Sequence, residues 1–343
     1  MRASKKFIVW ASISLIVQLS LYIYLDKFYF GEENNIKITQ DSNFYKEPEI
    51  KPNVNIPSSA ENVTLSDDGT FTAYSENGIV KVFDTNTGKQ LSLSFNGGVK
   101  CLAYRWVPDT NRMIIAENVS GQIRFFSYNA ESKYKEEVKD YTNGKANVIS
   151  SPRGNLDVGI RMSILTGVMY IKVSSQAGSR MYRLDVNEEL SSVRTVSSQI
   201  GRFNVTSRED NLIYEDTSNG RVRSTKIKSN IVVDGNSALT FLGVDDNNNV
   251  YVSSKTDKIN KIYYGEVTTS GEKFKAINLD SNYDYKNVFV SANGNVYAVD
   301  TTSSRLINLK SNTKYQYKGE YIGLFNNRIA SINGSKLVVQ KID

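Results

Sequence analysis

The sequence predicts an all-β chain folded as a seven-bladed β-propeller and preceded by one transmembrane helix. Three observations carry this reading. An uncharged apolar run lies near the N-terminus. From about residue 58, short runs rich in Val, Ile, Tyr and Phe alternate with Gly, Asn, Asp and Ser clusters, which is the pattern of strands and tight turns. Two separate series of turn clusters recur in phase, roughly 43 residues apart, inside the band of four-stranded blades. Six or eight blades are the alternative counts.

The apolar run is Phe7 to Leu25, broken only by Ser12, Ser14, Gln18 and Ser20. It is just long enough to cross a hydrocarbon core as a helix. Arg2, Lys5 and Lys6 precede it; Asp26, Lys27, Glu32 and Glu33 follow. The positive-inside rule puts the N-terminus in the cytoplasm and the rest outside. Trp10 at one end and Tyr22, Tyr24, Phe28 and Tyr29 at the other suit the two membrane interfaces. Cleavage as a signal peptide is the rival. The run is longer than a usual signal core, and the bulky Tyr22-Ile23-Tyr24-Leu25 offers no small-residue cleavage site. Residues 1–30 are thus read as a cytoplasmic tip and anchor.

Residues 31–57 hold three of the five prolines, at Pro48, Pro52 and Pro57. Such polar, Pro-interrupted chain is extended and semi-rigid, a stalk. Ile36-Lys37-Ile38-Thr39 within it is a candidate edge strand.

Residues 58–343 read as the propeller. The first unit is the clearest: strands at 62–66, 71–74, 79–84 and 90–95, separated by turns at Asp67-Asp68-Gly69, Glu76-Asn77-Gly78 and Thr85–Lys89. Four antiparallel strands joined by tight turns make one blade. The first turn recurs near Gly69, Asn111, Gly154, Asp210, Asn248, Gly294 and Asn327. The second recurs near Gly78, Gly121, Gly167, Gly220, Lys258, Ser304 and Gly334. The third unit is longer, around Glu188–Val193, and an extra strand or loop is expected there. The last unit has three strands before the chain stops. A free edge is a liability, so a segment within residues 34–60 is expected to supply the missing outer strand.

Three stretches resemble WD-repeat-like and Tol-Pal-type β-propellers. They are Leu65-Ser66-Asp67-Asp68-Gly69 with Ala73-Tyr74, Val82-Phe83-Asp84-Thr85-Asn86-Thr87-Gly88-Lys89, and Val244 to Val252. The Trp-Asp and Gly-His pairs of true WD repeats are absent, so the resemblance implies architecture rather than a family partner.

Composition excludes much chemistry. With no His, no Ser-His-Asp or Cys-His nucleophile and no His-ligated zinc or haem can be built. The lone Cys101 forms no internal disulfide and reads as a small hydrophobe of an inner strand. The net charge is +6, half of it within residues 1–30. The near-neutral remainder has no footprint for nucleic acid. Asp245–Asn249 begins like a calcium loop but lacks its Gly and its bidentate acid, and sits where a repeat turn belongs. Phe83–Lys89 also resembles the docking repeat of quinone-cofactor propellers, but Leu91 stands where their Trp follows. Ser66–Gly69 falls one residue short of a sialidase Asp-box. Two carboxylates suffice for glycoside hydrolysis, and Asp109, Asp157, Asp216 and Glu215 are the turn candidates. Tyr283, Tyr285, Tyr315, Tyr317 and Tyr321 gather near the last blades, a composition suited to an interface or to sugar stacking.

The reading is a single-pass membrane protein with an extracytoplasmic propeller that acts as a non-catalytic protein-interaction scaffold in a cell-envelope assembly. No catalytic residue, cofactor or metal is expected. Binding of cell-wall carbohydrate, or its carboxylate-based hydrolysis, is the alternative. An inward-signalling sensor ranks third, because few residues precede the span. Propeller ligands usually meet the face that carries the second turns. Those loops nominate Glu76, Asn77, Asn118, Thr166, Asp216, Asp257, Arg305 and Asn333.

Overall fold

The computed structural model describes residues 2–29, 49–95, 99–268 and 274–342. The candidate strand Ile36–Thr39, and most of the linker with it, lies outside the described residues. The chain divides into two units, residues 1–47 and 48–343.

The first unit holds one α-helix, Arg2–Tyr24, which continues as a π-helical turn, Leu25–Tyr29. Within it Lys6–Lys27 has a mean hydropathy of 1.9 and buries nothing against protein. Its 22 residues span about 33 Å as a helix, enough to cross a membrane or to serve as a signal sequence.

The second unit is a ring of seven antiparallel sheets. They cover residues 61–91, 100–150, 157–193, 200–224, 239–284, 288–316 and 320–341, called blades 1 to 7. In each, successive strands pair in sequence order, the meander of a propeller blade. Side-chain capping sets the turns. After the third strand of blades 1, 2, 3 and 6, the side-chain oxygen of Asp84, Asn129, Asp185 or Asn308 accepts a backbone N–H two or three residues on, at 2.8–2.9 Å. Such Asx turns reverse the chain without a ladder partner.

The core is distributed around the ring. Among the described residues it forms seven apolar clusters, and each one straddles two adjacent blades. The sheets therefore pack on their neighbours, with alternate side chains of a strand serving opposite interfaces. A buried Tyr in each of five second strands marks this packing: Tyr170, Tyr251 and Tyr297 face the following blade, and Tyr74 and Tyr214 the preceding one. The Tyr170 hydroxyl donates to Asp210 of the next blade at 2.6 Å, and that of Tyr251 lies 3.1 Å from the Gly294 carbonyl of the next blade. The Tyr cluster of the last blades is likewise packing. Tyr317 is buried, Tyr283 and Tyr285 pack between blades 5 and 6, and Tyr315 and Tyr321 between blades 6 and 7.

Residues 54–56 close the ring. The Ile56 N–H donates to the Ser335 carbonyl at 2.7 Å, the Leu337 N–H donates to the Val54 carbonyl at 3.2 Å, and Asn55 pairs antiparallel with Lys336. This puts the N-terminal segment in the fourth place of blade 7. Val54 and Ile56 then enter the cluster between blades 7 and 1, beside Leu65, Tyr74, Ala330 and Leu337. Asn53 donates its N–H to the Thr85 carbonyl of blade 1 at 2.8 Å. The segment runs so close to Gly88 (φ +71°) that a Cβ there would strike the Asn53 carbonyl. Residues 34–48 of the expected closing segment lie outside the described residues.

Two expectations need correction. The extra strand belongs to blade 2, where Val148–Ser150 pairs with the same third strand as Tyr134–Glu137, at 122–124 against 126–129. Residues 188–193 are a plain turn and the outer strand Leu190–Val193 of blade 3. Second, the turn series slips in blade 3. Gly154 lies in the connection before its first strand, Asp157–Met162, and Gly167 lies in its first turn. The second turn is Gln176-Ala177. Because glycines with positive φ serve both turns and the connection, the glycine pattern alone does not fix the phase.

Closure makes a measurable demand on Ile56. Ile56→Ala is expected to cost about 2–5 kcal/mol, because it opens a cavity at the ring's seam. Asn55→Ala, on the exposed side of the same segment, should cost far less. Thermal unfolding midpoints of the two variants would show the difference.

Candidate functional site

The first strand of each blade lines the central axis. In blades 1, 2, 4, 5 and 7 this inner strand carries a register shift, such as those at Ile200/Phe203 and Phe241/Gly243. Bulges of this kind re-aim side chains and free backbone groups.

A cavity of about 520 Å³ occupies the axis between blades 3 and 6. Its blade 3 and 4 side is basic, with Arg161, Lys172 and Arg202, and Lys286 joins from the approach to blade 6. Its other side is apolar, with Phe241, Leu242, Val288, Phe289 and Val290. Gly159 faces Lys172 in register, and Lys172 donates to the Gly201 carbonyl at 3.3 Å. Gly159 makes room for the Phe203 ring, which a Cβ there would approach within 2.9 Å.

One carboxylate lines this cavity: Asp157, 3.7 Å from Lys172. Arg202 crosses toward blade 6 and donates to the carbonyls of Tyr285, Lys286 and Val288 at 3.1–3.3 Å. Arg161 donates to its own neighbour, the Ile160 carbonyl, at 2.8 Å and lies over the Phe203 ring. Arg105, on the inner strand of blade 2, reaches solvent at the axis, yet protein walls it on most sides. Burial, and then the Arg161 charge, push its guanidinium down to about 10. Burial pushes Arg161 down as well. Glu215 does not neutralise these groups. Its carboxylate accepts the Arg202 N–H at 3.0 Å and the Phe241 N–H at 2.7 Å, which ties the bulged inner strands of blades 4 and 5 together.

The first-turn mouth gathers acids, with Arg328 acting on Asp67 and Arg208 on Asp246. Asp109 of blade 2 acts on both Asp67 of blade 1 and Asp246 of blade 5. Blades 2 and 5 are not neighbours, so these acids meet over the axis. Burial first, and like charge next for Asp67, push the Asp67 carboxyl up; burial also raises Asp246.

The residues nominated from sequence sit elsewhere. Glu76, Asn77, Asn118, Asp216, Asp257, Arg305 and Asn333 ring the second-turn face by blade, and none lines the axial cavity. Thr166 lies on the opposite face, because its loop is the first turn of blade 3. Asn77, Asp257, Arg305 and Asn333 are exposed. Glu76 pairs with Lys81 at 2.5 Å. Asp216 is buried and bound by Arg223 at 2.9 Å, Ser218 at 2.6 Å and Asn219 at 3.0 Å. Hydrogen bonds from these three hold its carboxyl well below the usual range, against the cost of burial. Sequence reasoning looked at turns and so missed the inner-strand arginines. The signal was present as Arg105, Arg161 and Arg202 standing beside apolar residues within the first strand of their blades.

Cys101 is half-buried at the bulge of blade 2; its thiol donates to the Ala103 carbonyl at 3.4 Å, and burial pushes it up to about 12. Asp245 turns its carboxylate on its own loop, accepting the N–H groups of Asn247 and Asn249, each at 2.9 Å.

Known structures share this architecture. A streptogramin B lyase superposes with a TM-score of 0.52 at 12% identity, over 85% of this chain and 98% of that one. A virginiamycin B lyase from Staphylococcus aureus gives 0.55 at 13% identity, over 86% of this chain and all of the other. Likeness at this identity is one of fold. No protein-family model and no curated protein matches the chain.

Asp216 should behave as a structural group. Its folded value lies below its unfolded one of about 3.9, so its stabilisation is complete above about pH 5 and is lost as pH falls. Asp216→Asn is expected to cost about 3–5 kcal/mol at pH 7 by leaving Arg223 unpaired. It should also flatten the acid limb of a stability-against-pH curve. An unchanged midpoint would sink this assignment.

Proposed function

We propose that the protein is a membrane-anchored binding module whose propeller stands outside the membrane and holds a protein partner of a cell-envelope assembly. The supporting observation is the layout of the second-turn face. Asn77, Asp257, Arg305 and Asn333 stand exposed at the second turns of four different blades, on a ring made rigid by packing at every interface. Rigid scaffolds with variable loops are how propellers present contact surfaces. The apolar helix and the basic residues before it support anchoring with the N-terminus inside.

Two measurements test this. An alkaline phosphatase fused after residue 342 is expected to be active, and a fluorescent protein at the same place dark; the reverse pattern would refute the orientation. A tagged full-length protein, purified from its host in mild detergent, should retain one envelope protein in near-stoichiometric amount. Replacing Asn77 by Gly, which suits its φ of 53°, and Asp257, Arg305 and Asn333 by Ala should release that protein while leaving the unfolding midpoint nearly unchanged, as surface changes usually do.

The glycan reading has one observation of its own, the Asp67, Asp109 and Asp246 group at the first-turn mouth. A carboxyl raised by burial near a second acid is what the general acid of glycoside hydrolysis requires. Release of reducing ends from host wall polysaccharide, abolished by Asp67→Asn, would favour it over the scaffold.

A further inference from the structure

We infer that the axial cavity is a binding site for an organic phosphate, whose phosphate group meets Arg161, Lys172, Arg202 and Lys286 while its organic body packs on Phe241, Val288 and Phe289. This site is separate from the second-turn loops, and the inference does not rest on the scaffold reading.

Charge balance leads the argument. Arg161, Lys172, Arg202 and Lys286 line the cavity against the single carboxylate of Asp157, which is already beside Lys172. Among the described residues, no carboxylate lies within ion-pair distance of Arg161, Arg202 or Lys286. Like charges gathered in one cavity repel one another, and an anion placed among them relieves that repulsion. The one acid placed to help, Glu215, is committed to two backbone N–H groups.

The surplus also selects the anion. A carboxylate would offset one charge, whereas a phosphate monoester carries close to two and presents oxygens that match a planar guanidinium fork. Size selects an ester over the bare ion. About 520 Å³ falls in the range of small-molecule sites, far more than phosphate fills, and the wall opposite the cations is apolar. Lys286 and the Asp157–Lys172 pair lie toward the end of the axis where the inner strands begin. The exposed Lys286 marks that end as the entry.

The test uses the full-length protein in non-ionic detergent at constant ionic strength. Calorimetry and thermal unfolding are run with glucose 1-phosphate, glycerol 3-phosphate, inorganic phosphate, glucose and acetate. The two esters are expected to bind and to raise the midpoint by several degrees; glucose and acetate should do neither. Arg161→Gln and Lys286→Gln should each weaken the esters about tenfold, the loss of one charge-assisted contact. Without ligand Lys286→Gln should unfold at the wild-type temperature, because Lys286 is exposed. Equal binding of acetate, or ester binding unchanged in the double variant, would overturn the site. Inorganic phosphate binding as tightly as the esters would overturn the ester assignment. Ester binding kept by Lys286→Gln and lost only in an Arg161→Gln variant with a much lower ligand-free midpoint would show that the cations serve the fold instead.

Discussion

Everything in the propeller depends on each sheet having a neighbour on both sides. A four-stranded sheet exposes two apolar faces, and here every cluster of the core lies between two blades. Remove one interface and the adjoining blades each expose a face. The contact of residues 54–56 with Ser335–Leu337 is therefore unlike any single hydrogen-bonded pair within a blade. It links the first described part of the propeller chain to its last strand, and it supplies Val54 and Ile56 to the one interface that no continuous stretch of chain could build. Such long-range closure is slow to form, because its loop entropy is lost before the contact can repay it.

The same geometry explains which features were legible in the sequence. Turns are local, and their residues are chosen by backbone conformation. Asp84, Asp245 and Gly69 announce themselves through Asx capping and positive φ, so seven units can be counted without a structure. Phase is less secure, because a glycine serves any tight reversal, and Gly154 and Gly167 match the series while belonging to a connection and to the other turn. The extra half-strand of blade 2 was hidden for a different reason. Val148–Ser150 has ordinary strand composition, and only pairing with Gln122–Arg124 reveals it as a second piece of an outer edge.

The candidate site was barely legible, and the reason is physical. A turn residue can be nominated from its neighbours in sequence, but convergence on an axis is a property of the closed ring. Arg105, Arg161 and Arg202 are separated by 56 and 41 positions and meet only because three inner strands face one centre. Conversely, Asp216 sits in an exposed-looking turn and is fully buried, held by Arg223, Ser218 and Asn219. Turn position predicts solvent contact only where the side chain has no local partner to satisfy.

The axis shows how a propeller can carry charge at little cost to its core. Apolar packing lies between blades, so polar groups at the centre disturb no interface. Glu215 illustrates the division: from a second strand its carboxylate satisfies N–H groups at Arg202 and Phe241, freed where the inner strands bulge. That arrangement commits the carboxylate to backbone N–H groups. Arg161, Lys172 and Arg202 line the axis from blades 3 and 4, and Phe241, Leu242 and Val288 line it from blades 5 and 6. Low-dielectric walls focus the field of such a cluster of cations. The sides of the axis are therefore chemically distinct, although the backbone repeats itself seven times around it.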